Sequence, residues 1–86
     1  MGMDCVELVM DVEKAFSVTI RDEDAVNLGV VGDLARHVIV ISKQQNQVEL
    51  EFDPVLRTII RLLSNYGIPA HYVNSTTHVV HDLGLD

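Results

Sequence analysis

The residues best suited to chemistry in this chain are three histidines near its C-terminus. His78 and His81 are three residues apart and precede Asp82, a spacing that lets two imidazoles and a carboxylate share one face of a turn and bind a metal ion. His71 lies nearby, but no second group of ligands accompanies them. We therefore predict no metal site and interpret these histidines as solvent-exposed loop residues.

Cys5 is the only cysteine, so no intrachain disulfide can form, as is typical of proteins in a reducing cytosol. It has no base beside it in sequence and falls on an apolar stripe, so we interpret it as a small core residue. The chain shows no Ser-His-Asp pattern, glycine-rich phosphate loop or paired-carboxylate motif. These observations argue against an enzyme.

Composition predicts one small acidic domain, because 86 residues suffice for a single core. Six Lys and Arg against 13 Asp and Glu give a formal net charge of −7, which repels nucleic acid and favours docking on a basic protein surface. No apolar run approaches the roughly 18 residues of a membrane span, and the N-terminus lacks the pattern of a secretory signal. We expect a cytoplasmic protein with no nucleic-acid or membrane partner.

Apolar residues at three- and four-residue steps predict helices in the first half of the chain. The first helix follows Asp4, which is suited to its N-cap, and one or two helical turns span 22–29 and end at Gly29. Another helix is predicted to follow Gly29. The residues predicted to face the core are Cys5, Leu8, Val9, Val12 and Phe16 in the first helix, and Val31, Leu34, Ala35, Val38 and Ile41 in the helix after Gly29.

The middle of the chain predicts a linker. Residues 43–47 are polar and aperiodic, and the linker is predicted over 43–52. A hairpin between 38–41 and 48–52 is the alternative, because 48–52 alternates apolar and acidic residues. It ranks second because an isolated hairpin is weak.

A further helix is predicted to start at Asp53, as N-cap, followed by Pro54 in its first turn. Gly67 and Pro69 end this helix, and a long loop leads to a short segment at 78–83, predicted as one helical turn. The helix buries Leu56, Ile59, Ile60 and Leu63.

The two ends of the chain carry its most specific pattern. Asp82-Leu83-Gly84-Leu85-Asp86 closes the chain, and Met3-Asp4-Cys5-Val6-Glu7-Leu8-Val9-Met10 opens it. Joined tail before head, they resemble the segment around the prosthetic-group serine of acyl carrier proteins, Asp-Leu-Gly-x-Asp-Ser-Leu-Asp-x-Val-Glu-Leu-Val. The match continues at family spacing through Glu13, Phe16, Ile20, Asp22, Glu23, Ala25, Leu28, Val31 and Leu34.

This resemblance implies an all-α fold over residues 1–86, a small four-helix acyl-carrier-like bundle in circularly permuted order. Residues 3–42 resemble the family's helices II to IV, and 53–86 resemble its helix I and the loop before the serine. The linker 43–52 can reach roughly 30 Å, enough to join the family's termini across a small bundle. The new chain ends then fall in an exposed loop, where permutation is best tolerated.

The resemblance also implies a 4′-phosphopantetheine site, but its attachment residue is absent. In the family, a phosphopantetheinyl transferase esterifies the serine with the arm, whose thiol carries the acyl chain. The matching position is Gly2, flanked by Asp86 and Met3, and glycine has no hydroxyl. The remaining serines lie in unrelated contexts: Ser17, Ser42, Ser64 and Ser75. The chain as written therefore carries no such cofactor.

In the family, partner enzymes with basic docking surfaces bind an acidic face centred on helix II. Carried over by position, this partner-binding face is Asp4, Glu7, Met10, Glu13, Asp22 and Glu23. Lys14 departs from the family's acidic run. The leading interpretation is an acyl-carrier-like domain of fatty-acid or polyketide biosynthesis, within lipid metabolism. The alternatives are a non-carrier protein-interaction or regulatory module of the same fold, and a homodimer in which each copy supplies the half-motif that the other lacks.

Overall fold

A computed structural model describes residues 3–79 and 81–84 of the chain. Over these residues the fold is all-helical, which confirms the predicted class. It contains four α-helices: α1 (Met3–Phe16), α2 (Asp22–Ala25), α3 (Val31–Asn46) and α4 (Phe52–Ser64). A single 3₁₀ turn covers Ala70–Tyr72, and the described residues contain no strand beyond an isolated bridge between Val30 and His78. None of the helices described is long and apolar enough to cross a lipid bilayer.

The core lies where α3 packs along α4 and α1 packs against α4. Its members follow the predicted stripes, with Val9, Phe16, Leu56 and Ile60 half-buried at its edge. The buried apolar side chains on the helices are Cys5, Leu8 and Val12 of α1, Ala25 of α2, Val31, Leu34, Ala35, Val38 and Ile41 of α3, and Val55, Ile59 and Leu63 of α4. Helical periodicity therefore identified most of the core, but on α4 the buried Val55 lies outside the predicted stripe and Leu56 and Ile60 are only half-buried.

The helix starts differ from prediction. Asp4 lies inside the first turn of α1 and not at its N-cap. Helix α4 begins at Phe52, with Glu51 at the N-cap position and no side-chain capping bond, so Asp53 is not the cap. Phe52 packs against the core, and the Arg36 guanidinium lies 5.4 Å from its ring centre. The N-cap position therefore lies two residues earlier than capping chemistry predicts, and the helix opens on the half-buried Phe52.

The end of α3 lies inside the predicted linker, because side-chain hydrogen bonds hold its last turn. Gln45 Nε2 donates to Thr19 O at 2.9 Å, and Gln45 Oε1 accepts from Thr19 N at 2.8 Å. Asn46 Nδ2 donates to Ser17 O at 2.8 Å. The chain leaves the helix at Gln47, in the left-handed conformation (φ 56°). Only 47–51 connect α3 to α4, and the alternative hairpin does not form.

The end of α4 follows the prediction at Gly67. Its φ is +81°, a left-handed conformation that glycine adopts without a Cβ penalty. Gly67 N donates to Ser64 O at 3.1 Å, and Ile68 N donates to Leu63 O at 3.3 Å. This pair of bonds is the Schellman arrangement, which satisfies the last carbonyls of a helix.

The segment 73–79, which we call the strap, crosses the start of α3. Its carbonyls accept from the helix: Val31 N donates to Thr77 O at 2.9 Å, and Gly32 N donates to Ser75 O at 2.8 Å. In the other direction, Val79 N donates to Gly29 O at 2.8 Å. The N-cap side chain of α3 makes no capping bond, so the strap satisfies backbone N–H groups that a helix leaves free at its start.

Candidate partner-binding face

The histidines near the C-terminus do not gather into a metal centre. No three potential ligand side chains converge anywhere in the described ranges. His71 and His81 are exposed, but His78 is half-buried with its ring over Gly29, so the prediction of an exposed loop histidine is wrong there. His78 N donates to Asp82 Oδ2 at 2.8 Å, and His81 N donates to His78 Nδ1 at 3.1 Å. These bonds hold a single turn at the end of the described chain.

Cys5 is buried in the core, which confirms its predicted place. It lies beside a small apolar cavity of about 70 Å³ between α1, α2, the start of α3 and the strap. The cavity is lined mainly by aliphatic side chains, among them Leu8, Val9, Leu28, Leu34 and Val79. At 2% exposure, the Cys5 thiol is closed to reagents in solution.

The predicted partner-binding residues fall on two helices. On α1, Glu7 and Met10 are exposed and Asp4 is half-buried. At the start of α2, Asp22 and Glu23 are both exposed, and Glu23 Oε1 lies 3.1 Å from Arg21 Nη1. These five side chains are accessible in whole or in part, and most of them carry negative charge.

Glu13 differs from the other predicted face residues. It is half-buried, and its Oε2 accepts a hydrogen bond from Ile20 N at 2.8 Å. The carboxylate therefore holds the connection between α1 and α2 to the end of α1. Nothing in the local sequence indicates this role, because the donor lies seven residues away in an extended segment.

Two residues that the sequence did not single out complete the α1 side of this face. Tyr66 Oη donates to Asp11 Oδ2 at 2.7 Å, joining residues 55 positions apart. They border an open groove of about 360 Å³ between α1 and the end of α4, lined by Glu7, Met10, Asp11, Lys14, Asn65 and Tyr66. The groove combines carboxylates, one ammonium and a methionine, a surface suited to a basic and partly apolar partner.

Part of this chain is similar to acyl carrier proteins. Over 37 residues, 43% of its length, it is 44% identical to the acyl carrier proteins of Exiguobacterium sp., Exiguobacterium sibiricum and Wolinella succinogenes. The chain spans about half the length of the curated relatives it matches, 47% to 49%. No family model matches the chain. No solved structure matches it either. The likeness supports a relation to acyl carrier proteins over less than half of the chain.

Tyr66 is the residue of this face whose pKa is strongly perturbed. Desolvation raises the pKa of Tyr66 well above its usual range, and the hydrogen bond to Asp11 raises it further. The negative charges of Asp11, Glu7 and Asp4 act in the same direction. The folded state thus binds the phenolic proton more tightly than the unfolded chain, and Tyr66 remains a hydrogen-bond donor at neutral pH.

We predict that Tyr66→Phe lowers the free energy of unfolding by about 1 kcal/mol near pH 8, the net value of one hydrogen bond. Because the folded pKa is raised, this contribution is complete below about pH 10 and is lost as pH rises above it. Urea unfolding at pH 8 and at about pH 10.5 measures both effects. The two proteins should therefore converge in stability at the higher pH. The control is Tyr72→Phe, at the exposed second tyrosine. An unchanged gap at pH 10.5 would contradict this role for Tyr66.

Proposed function

We propose that this chain is an acyl-carrier-like domain in permuted order, which docks through α1 onto enzymes of fatty-acid or polyketide biosynthesis. The observation that carries the proposal is the 44% identity to acyl carrier proteins over 37 residues. The all-helical fold supports it, because a small helical bundle is the architecture that the resemblance implies. In this proposal the protein docks to partner enzymes and performs no catalytic step.

Support for the permuted order comes from the two half-motifs at the chain ends. Residues 82–84 carry the family's Asp-Leu-Gly, and α1 begins with Met3 in place of the family's leucine, followed from Asp4 by residues that match the pattern after the serine. The short connection at 47–51 would join the family's last and first helices. Gly2 and Asp86, which the proposal puts on either side of the opening, lie outside the described residues.

The residues present do not fit a covalent 4′-phosphopantetheine arm. Gly2 offers no hydroxyl, so no phosphodiester can form on it. The four serines have other surroundings: Ser42 is buried, and Ser64 Oγ donates to Arg61 O at 2.5 Å. Ser17 follows α1 in a left-handed conformation, and Ser75 belongs to the strap. We assign no loading step to the chain as written.

The docking part of the proposal rests on exposed charge. Glu7 and Met10 present a carboxylate beside an apolar side chain, the combination that a basic surface with an apolar centre would bind. Asp4, Asp22 and Glu23 add negative charge to the proposed docking face. Charge of this kind mainly speeds association and is screened by salt.

The test is intact mass after incubation with coenzyme A and a broad-specificity phosphopantetheinyl transferase. We expect Gly2→Ser to gain the arm and the unaltered chain to gain nothing. Adding Glu7→Lys to Gly2→Ser should slow loading by about tenfold at low salt, because the carboxylate steers a basic partner. Glu49→Lys makes the same charge change on another exposed glutamate and should alter the rate less than about twofold.

Failure of Gly2→Ser to load would overturn the carrier proposal. The second candidate, a non-carrier interaction or regulatory module, would then lead; it is favoured by the glycine at the attachment position. If Gly2→Ser loads equally fast with and without Glu7→Lys, the carrier proposal stands and the docking face is rejected. Glu13 is unsuitable for this test, because its carboxylate accepts the Ile20 N–H bond and charge reversal there would disturb the fold.

A further inference from the structure

A separate groove of about 520 Å³ is left unused by the proposed function. It lies where the end of α4, the 3₁₀ turn, the strap and the final turn meet. It shares no lining residue with the groove beside α1. We call it the Tyr72 groove; its walls include Ile68, Pro69, Tyr72, Asn74, Asp82 and Leu83.

The Tyr72 groove has an aromatic and apolar wall. Tyr72 is 65% exposed, and its ring centre lies 4.3 Å from that of His71. Ile68 and Leu83 are half-buried and Pro69 is exposed in the same groove. A tyrosine offers a large contact area at little cost in side-chain entropy, and tyrosines are enriched where proteins bind partners. The wall is therefore suited to contact with another molecule.

The charge of this groove comes from Asp82. Its Oδ2 accepts a hydrogen bond from His78 N at 2.8 Å, which holds the carboxylate in place. No lysine or arginine of the described ranges pairs with it. The nearby polar side chains bond within the strap: Thr76 Oγ1 donates to Asn74 Oδ1 at 2.7 Å, and Thr77 Oγ1 accepts from Asn74 N at 2.9 Å. The groove thus presents a negative charge that no described cation neutralises.

We propose that the Tyr72 groove binds an arginine side chain of a partner protein. A guanidinium is planar, so it stacks on an aromatic ring and also donates hydrogen bonds to a carboxylate. Lysine carries a strongly hydrated point charge and matches the ring less well. The net charge of −7 attracts a basic segment and opposes an acidic one. Apolar residues on either side of the arginine would pack against Ile68, Pro69 and Leu83.

This contact goes beyond the proposed function, because none of the groove residues belongs to the docking face on α1 and α2. An exposed contact between a cation and an aromatic ring strengthens binding by a few-fold, and so does an exposed ion pair. The groove therefore contributes selectivity for an arginine at one position of the partner and little affinity by itself.

The test is a titration of the isotope-labelled full chain with the peptide acetyl-Leu-Arg-Leu-amide, followed by amide chemical shifts in NMR spectra. The matched control peptide has citrulline in place of arginine, which keeps the shape of the side chain and removes its charge. We expect shift changes at the amides of Ile68, Tyr72 and Leu83. The dissociation constant should be at least about threefold higher for the citrulline peptide.

Variants of the two recognising residues complete the test. Tyr72→Ala and Asp82→Asn should each raise the dissociation constant of the arginine peptide by about threefold. Asparagine keeps an oxygen that can accept the His78 N–H bond. Tyr72→Phe retains the ring and should change the constant by less than about 1.5-fold. Asp53→Asn removes the same charge from an exposed residue outside the groove and should have an equally small effect.

Three results would overturn the site. They are equal binding of the two peptides, binding that is unchanged in the double variant Y72A/D82N, and shift changes confined to Glu7, Met10 and Lys14. The last result would assign the arginine to the α1 face instead. Amide spectra that are unaltered away from the substituted residues confirm the folding of each variant. No transferase takes part, so this outcome is separate from that of the loading experiment.

Discussion

Gly32→Ala is expected to lower the free energy of unfolding by about 2 kcal/mol, within the range for overpacked sites. An added Cβ would lie 2.5 Å from the backbone oxygen of Ser75, which also accepts the Gly32 N–H bond at 2.8 Å. Alanine favours a helix over glycine by at most about 1 kcal/mol, so the clash outweighs the propensity gain. Urea unfolding followed by circular dichroism measures the difference.

Gly29 provides the matched control for this substitution. Its added Cβ would lie 2.3 Å from His78 Nε2, so here the obstacle is a side chain. Gly29→Ala should be destabilising alone and substantially recovered in combination with His78→Ala. No side-chain truncation should recover Gly32→Ala, because its obstacle is backbone. A Gly32→Ala protein as stable as the parent would contradict the close contact between the strap and α3.

Ile59→Ala is expected to cost about 3–4 kcal/mol, as for other fully buried branched aliphatic residues truncated to alanine. Ile59 is 0% exposed, in the α4 stripe that packs against the core. A domain of this length has a total stability of about 4–13 kcal/mol, so one substitution removes a large part of it. Thermal unfolding and urea unfolding should both shift to lower midpoints.

Val40→Ala is the matched control for the core truncation. Val40 lies on α3 but is 53% exposed, and its loss should change stability by less than about 0.5 kcal/mol. Equal effects at Val40 and Ile59 would mean that the core is not packed as described. A selective effect at Ile59 would support the packing of α4 into the core.

The helices could be predicted from sequence because their core positions repeat every three or four residues. Val31, Leu34 and Val38 are buried as their spacing indicates. The end of α3 could not be predicted from sequence, because its last turn depends on hydrogen bonds between Gln45 and Thr19, 26 positions away. A polar run of amide side chains predicts a linker. The backbone groups that these amides bond lie in a distant part of the sequence, so the helix that they hold is not indicated locally.

The candidate face was predictable only in part, for the same physical reason. The exposed acids of α1 follow from helical periodicity and from the family resemblance. Tyr66 and Asp11 meet across 55 positions, and no local pattern indicates that contact. Glu13 has the right charge and spacing for docking, yet the Ile20 N–H group takes up one of its oxygens. Side-chain hydrogen bonds across connections decide which surface charges are available.

The strap also has a consequence for how the chain folds. Its hydrogen bonds close 43 positions between Gly32 and Ser75, and 50 between Gly29 and Val79. Contacts this distant in sequence form slowly, because the loop-closure entropy must be overcome before they stabilise anything. The start of α3 therefore gains its hydrogen-bond acceptors only after residues 75–77 are in place. During synthesis on the ribosome, α3 would remain incomplete at its N-terminal turn until the strap has emerged.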